Sequence, residues 1–275
     1  MKSQSIAVAG GNGKLGKHIV KGLLEIKQRC SLTIVVLSRS PAPDISYAGS
    51  SAPVLDDYRI DTIILPLLRL AFTLPQENLL RAGLAFPSFR RFAPSEFAID
   101  SDQEQGCLFF AYANKDTFEY TRLNCGIFLN YLGYGNRKPE GDKALGHLAH
   151  FPYIFDLSKR TADIPGDGGK HIVYTRTEDV GNFVAAATQL ENWEEYMDMA
   201  GDVLTLNEVL HIAEDTCGSK FTVKYNSRED IVARMKPSPE NVFENFFLKS
   251  LLVYIDGDCD VKRPFNLNEL VDIKP

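Results

Sequence analysis

Gly10, Gly13 and Gly16 stand three residues apart in Ala7-Val-Ala-Gly-Gly-Asn-Gly-Lys-Leu-Gly16, a spacing suited to holding a phosphate anion. Gly10 lets the chain turn sharply at a strand end, Gly13 brings backbone up to a pyrophosphate with no Cβ in the way, and Gly16 lets the next helix pack closely on a sheet. The unpaired N–H groups and positive dipole end of that helix then face the anion. Gly10, Asn12, Gly13, Lys14, Leu15 and Gly16 are therefore the expected cradle of a dinucleotide. Glycine spacing alone is a weak signal, and a merely structural tight turn is the alternative. Here an apolar run precedes the glycines and an amphipathic run follows them, which is the context a phosphate loop requires.

The next chemistry lies at Ser38-Arg39-Ser40, the end of the second apolar run. In a dinucleotide fold an acid at this place accepts a hydrogen bond from the ribose 2′-hydroxyl, whereas an arginine pairs with a 2′-phosphate. No Asp or Glu occurs until Asp44, so Ser38 and Arg39 favour NADP(H) over NAD. The alternative is that Arg39 ends a strand in solvent.

The elements that must position these groups are legible from periodicity. Leu15, Ile19, Leu23 and Leu24 fall at helical spacing, with Lys14, Lys17, Lys21 and Glu25 on other faces. Leu32–Leu37 is a continuous apolar and β-branched run that suits a central parallel strand. Strands at 61–65 and 90–93, a helix at 76–86 and a strand at 120–128 continue an α/β alternation, which predicts a Rossmann-type doubly wound parallel sheet. Ligands bind such sheets at the carboxyl ends of the strands. Pro66, Ser95, Glu96, Phe97 and Asn130 follow strand ends and are further expected cofactor contacts, with core packing as the alternative for Phe97.

The pattern loosens around 136–146. The expected division is a Rossmann domain at 1–135, with 171–190 returning to it, and a smaller α/β substrate region at 136–275. Within the latter, Thr205 and Glu208 form a capping box with Gly218 as the helix stop. A strand is expected at 221–225, helix caps at Ser227 and Ser238-Pro239, and a last helix over 240–254.

Composition narrows the partners. A net charge of −6 and pI near 5.5 give no basic footprint for nucleic acid. The longest apolar stretch, Thr62 to Leu74, is broken by Pro66 and Arg69, which argues against a membrane span. Met1 to Ser5 lead into a strand and not into a signal peptide, so a cytoplasmic protein is expected. The five cysteines form no C-x-x-C pair, and His147 and His150 have no obvious partners, so no metal is expected.

These residues together with Arg91-Phe-Ala-Pro-Ser-Glu-Phe97, Pro165-Gly-Asp-Gly168 and Thr177-Glu-Asp-Val-Gly181 resemble the NmrA-like and isoflavone-reductase-like branch of the atypical short-chain dehydrogenases. The resemblance covers most of the chain and implies an NADPH-dependent oxidoreductase of secondary metabolism. It would reduce a small aromatic or conjugated carbonyl compound by hydride transfer. A lysine after the P-S-E-F element is the proton donor or oxyanion stabiliser in such relatives, and Lys115 matches it best. A lysine suits that role because its ammonium stabilises a developing oxyanion. Tyr112, three residues earlier on one helical face, is a second candidate donor. For either residue a solvated helix start is the alternative.

Two units depart from the relatives' pattern. Only 21 residues separate Arg39 from Asp61, too few for a full crossover to an edge strand and back, so the third strand or its helices must be stunted. Only Asp116 to Glu119 separate Lys115 from Tyr120, one helical turn where relatives have a full helix. A non-catalytic redox sensor that binds a dinucleotide and a protein partner is therefore the alternative function.

Overall fold

Ser5–Ala9 forms β1, buried along its whole length, and the first part of the molecule is laid out from it. The computed structural model describes residues 2–38, 51–66, 73–97, 116–136, 138, 141–236, 238–257 and 266–273. The chain divides into two compact units. One comprises 1–124, 178–199 and 265–274; the other comprises 125–177 and 200–264.

In the first unit β1 pairs in parallel with β2 (Thr33–Leu37) on one side and β3 (Thr62–Ile64) on the other. β4 (Arg91–Ala93) and β5 (Glu119–Tyr120) follow, giving the all-parallel order β2-β1-β3-β4-β5. The doubly wound sheet expected from the alternation is present. The crossovers run through α1 (Lys14–Lys27), α2 (Ser51–Asp57) and α3 (Thr73–Leu84). Because side chains alternate along a strand, Ala7 and Ala9 share one face. They cluster there with Leu55 of α2, Leu80 of α3, Ile63, Phe92, Phe118 and Tyr120. Ile6 and Val8 point the other way.

Two expectations are corrected. β2 is not central: among the described residues it ends the sheet, and Ile34 to Leu37 are only half-buried. α2 precedes β3, which lies beside β1, and no strand lies beyond β2 among the described residues. Nor is 120–128 one strand. It breaks into β5 and β6 (Ile127–Phe128), which belong to different sheets and different units. Gly126 makes the break at φ +68°, against Val173, where a Cβ has no room.

The second unit holds two three-stranded sheets. β6 pairs with β9 (His171–Thr175), which pairs with β10 (Asp202–Thr205). β8 (Thr161–Pro165) lies between β7 (Phe155–Asp156) and β11 (Thr222–Asn226). The helix α4 (Thr177–Ala187) passes from this unit into the first. The capping box at Thr205 and Glu208 starts α5 (Leu206–Cys217), and Gly218 ends it at φ +62°. Ser227 and Asp230 form a second box at α6 (Arg228–Arg234). At α7 (Val242–Asp256) the N-cap position falls to Asn241, whose side chain makes no capping bond, and not to Ser238, whose Oγ instead accepts from Glu240 N–H in a preceding 3₁₀ turn. α8 (Asn266–Leu270) returns to the first unit. Among the described residues no helix is long and apolar enough to cross a membrane.

Candidate functional site

Since β1 to β5 are parallel, Ala9, Leu37, Ile64 and Ala93 all end at one edge of the sheet. Gly10 turns away from β1 at φ +92°, and its N–H donates to Leu37 O at 3.0 Å, tying the loop to β2. Gly13 N–H donates back to Gly10 O at 2.8 Å, and Lys17 N–H to Gly13 O at 3.1 Å opens the α1 ladder. The amides of Lys14, Leu15 and Gly16 precede that first bond and have no acceptor within the helix. Gly13, the N-cap, offers no side chain to satisfy them, and no acid sits in the first turn. Exposed Lys14 and Lys17 add positive charge. Uncapped donors, a positive helix end and no competing carboxylate fit a pyrophosphate.

The glycines divide their work differently from the expectation. A Cβ on Gly16 would collide with Gly10 O and lie 2.7 Å from Gly11 Cα, so Gly16 packs α1 on its own loop and not on the sheet. Contact with the sheet falls to Gly11, where a Cβ would lie 2.9 Å from Val36 Cγ1 of β2. At Gly13 a Cβ would sit 2.9 Å from Gly10 O.

Ser38 follows β2, half-buried, and Pro66 is buried beyond β3, beside the Leu65 N–H to Ala93 O bond of 3.0 Å. Ser95, Glu96 and Phe97, all buried, turn away from β4 at the same edge. Glu96 N–H donates to Pro94 O at 2.9 Å, and Ser95 N–H donates to Gln76 Oε1 of α3 at 2.9 Å. The structure thus gathers Gly10 to Gly16, Ser38, Pro66 and Ser95 to Phe97 along one edge. Arg39, Tyr112 and Lys115 lie outside the described residues.

Asn130 belongs to the second unit, and its amide is engaged there. Its Oδ1 accepts from Thr177 N–H at 2.8 Å and from the Thr177 hydroxyl at 3.3 Å, while Nδ2 donates to Ala144 O at 2.9 Å. The bonds fix the start of α4. Beside it, burial pushes the Tyr131 phenol up, with the ring packed between Phe128 and Phe151. His150 lies against the Tyr134 ring at 4.6 Å between centroids.

Two further features are at most faintly marked in the sequence pattern. Gln76 occupies the buried stripe of α3 one turn before Leu80, and its only signal is a polar residue at an apolar spacing. Gly22 of α1 and Gly181 of α4 let the two helix backbones touch, since a Cβ on either would meet the other helix's carbonyl oxygen.

No protein-family model matches the sequence. An oxidoreductase of Botryotinia fuckeliana is 31% identical over 240 residues, covering 78% of this chain and 77% of that protein. The chain belongs to the isoflavone-reductase-like, NmrA-like family. An isoflavone reductase homologue of Nicotiana glauca is 24% identical over 294 residues, covering 94% and 88% of the two chains. Among solved structures, the ternary complex of leucoanthocyanidin reductase from Vitis vinifera superposes with a TM-score of 0.71 at 17% identity, covering 98% and 95%. The binary complex of that reductase with NADPH gives 0.67 at 18% identity, covering 94% and 89%. These isoflavone-reductase-like structures share the parallel-sheet fold described above.

Proposed function

We propose that this protein is an NADPH-dependent reductase of a small aromatic or conjugated carbonyl compound. The observation that carries the reading is the uncapped start of α1, set against the Gly10–Gly13 turn on the carboxyl edge of a parallel sheet. In support, relatives bear the names oxidoreductase and isoflavone reductase homologue, and a leucoanthocyanidin reductase of the same fold is solved with NADPH.

When bound, NADPH supplies the hydride. The amides of Lys14, Leu15 and Gly16 would hold the pyrophosphate, with Gly10, Asn12 and Gly13 shaping the loop around it. Ser38 and Arg39 would receive the 2′-phosphate. Pro66 and the Ser95–Phe97 turn would line the crevice toward the nicotinamide, and Asn130 would act through the start of α4. Lys115, with Tyr112 beside it, would deliver the proton or stabilise the oxyanion.

One observation favours a second reading, a dinucleotide-binding sensor without turnover. Glu119 opens β5 opposite Arg91, at the amino edge of the sheet, only three residues after Asp116. Only Asp116, Thr117 and Phe118 stand between Lys115 and that strand, where the resemblance implies a full helix. Titrating purified protein with NADPH tests the shared part: a blue shift and enhancement of dihydronicotinamide fluorescence at micromolar cofactor is expected, and none refutes both readings. Lys115→Ala then separates them. Turnover of aromatic enones that vanishes in the variant, with NADPH binding kept, supports the reductase; absence of turnover in both forms supports the sensor.

A further inference from the structure

We infer that Gln76 is a positioning residue for the nicotinamide end of the proposed cofactor site, acting through the Ser95–Phe97 turn; this rests on the NADPH reading above. The β4 ladder ends at Ala93, paired with Ile64. Pro94 has no N–H and a fixed φ, so the chain leaves the sheet there. The next amide, Ser95 N–H, is buried and beyond the reach of the ladder, and a buried amide must find an acceptor. Gln76 supplies it from another element. Its Oε1 stands 2.9 Å from Ser95 N, in a hydrogen bond buried at both ends, with the Gln76 side chain 4% exposed.

The geometry makes α3 a strut for the turn. Glu96 N–H closes back on Pro94 O at 2.9 Å, which bends the chain within two residues and directs Ser95 to Phe97 along the edge shared with Gly10 to Gly16. The Gln76 bond sets where that bend sits relative to α3 and β3. An aliphatic residue at 76 would pack equally well against Leu80 but would leave the Ser95 amide without its acceptor, and the turn would move to find another. The glycine loop, on the far side of β1 from α3's partner strand β4, has no bond to Gln76, so the pyrophosphate end should be unaffected.

The test compares two probes on purified full-length protein: NADPH, which reaches both ends of the site, and adenosine 2′,5′-bisphosphate, which lacks the nicotinamide. Q76L removes the acceptor, Q76N withdraws it by one methylene, and Q76E keeps it. Loss of one buried hydrogen bond is expected to weaken NADPH about tenfold in Q76L and Q76N. The bisphosphate should bind all variants within about twofold of wild type, and Q76E should restore most of the NADPH affinity. Unchanged NADPH affinity in Q76L and Q76N overturns the proposal, as does equal weakening of both probes. If Q76L does not fold, the contrast of Q76N with Q76E decides in the same way. Wild type that binds neither probe refutes the cofactor reading itself, an outcome distinct from either.

Discussion

Replacing Gly16 by Ala sets two effects of opposite sign against each other. In an unobstructed helix Ala is favoured over Gly by about 1 kcal/mol. Here the added Cβ would meet Gly10 O and stand 2.7 Å from Gly11 Cα and 2.8 Å from Gly10 C. Ordinary carbon contacts lie at about 3.5–4.0 Å, so the start of α1 must retreat by about 1 Å. The obstructing atoms are backbone, and Gly10 is tethered to Leu37, so no rotamer change relieves them. Overpacking of this kind costs up to about 3 kcal/mol. The clash therefore wins, for a net loss of roughly 2 kcal/mol. Tm should fall by roughly 4–8 °C in a chain of this size.

The same retreat carries the Lys14 and Leu15 amides away from a bound phosphate. Thermal denaturation with and without NADPH reads both consequences. Wild type should gain about 2.7 kcal/mol of stability at a hundredfold excess of cofactor over Kd, and Gly16→Ala should lose most of that gain. A variant that melts at or above wild type refutes the close approach. One that melts lower yet keeps the full cofactor gain refutes the assignment of the loop to the pyrophosphate.

Gly22→Ala, which would drive a Cβ into Gly181 O and to 3.3 Å from Ala185 Cβ, should lower Tm comparably while leaving the NADPH-dependent gain intact, since the crossing lies away from the loop. Arg91, 1% exposed, pairs with Glu119 at 2.6 Å, donates to Ser3 Oγ and to the carbonyls of Thr188, Leu190 and Glu191, and lies over the Trp193 ring. Arg91→Met should cost about 3–5 kcal/mol in urea denaturation, and Arg91→Lys should not restore it, because an ammonium lacks the fork these acceptors require. Asn130→Ala should remove the Oδ1 acceptor of the Thr177 amide, cost about 1–3 kcal/mol and speed hydrogen exchange in the first turn of α4. Burial pushes the Cys125 thiol up from its ordinary 9.0, so above that pH the unfolded chain releases a proton the folded chain keeps, and stability falls as pH rises. Cys125→Ala should remove from the alkaline branch a slope of about 1.4 kcal/mol per pH unit.

What could be read in advance divides along a physical line. The glycine loop, the amphipathic α1 and the capping boxes at Thr205 and Ser227 depend on residues within four of one another, and sequence displays such relations directly. The break of 120–128 into β5 and β6 could not be read that way, because an unbroken strand pattern says nothing about which neighbour each half will find. Arg91 is legible only as the start of a motif; its hydrogen-bond partners lie up to 100 residues away, at Glu191. Gly22 and Gly181 show how far tertiary context can invert a local rule. Each reads in sequence as a poor helix residue, yet each is required where two helix backbones touch.

The two halves of the candidate site make different demands on the chain. A phosphate cradle is made of backbone amides, and their positions follow from a short run of glycines and one helix start. A proton donor must instead be carried to the reacting atoms by a segment of adequate length, and length is where this chain departs from its relatives. Between Lys115 and Glu119, which stands at the amino edge of the sheet, lie three residues, Asp116 to Phe118. On the proposed function, Lys115→Ala therefore discriminates a reductase from a sensor, while substitutions in the glycine loop do not.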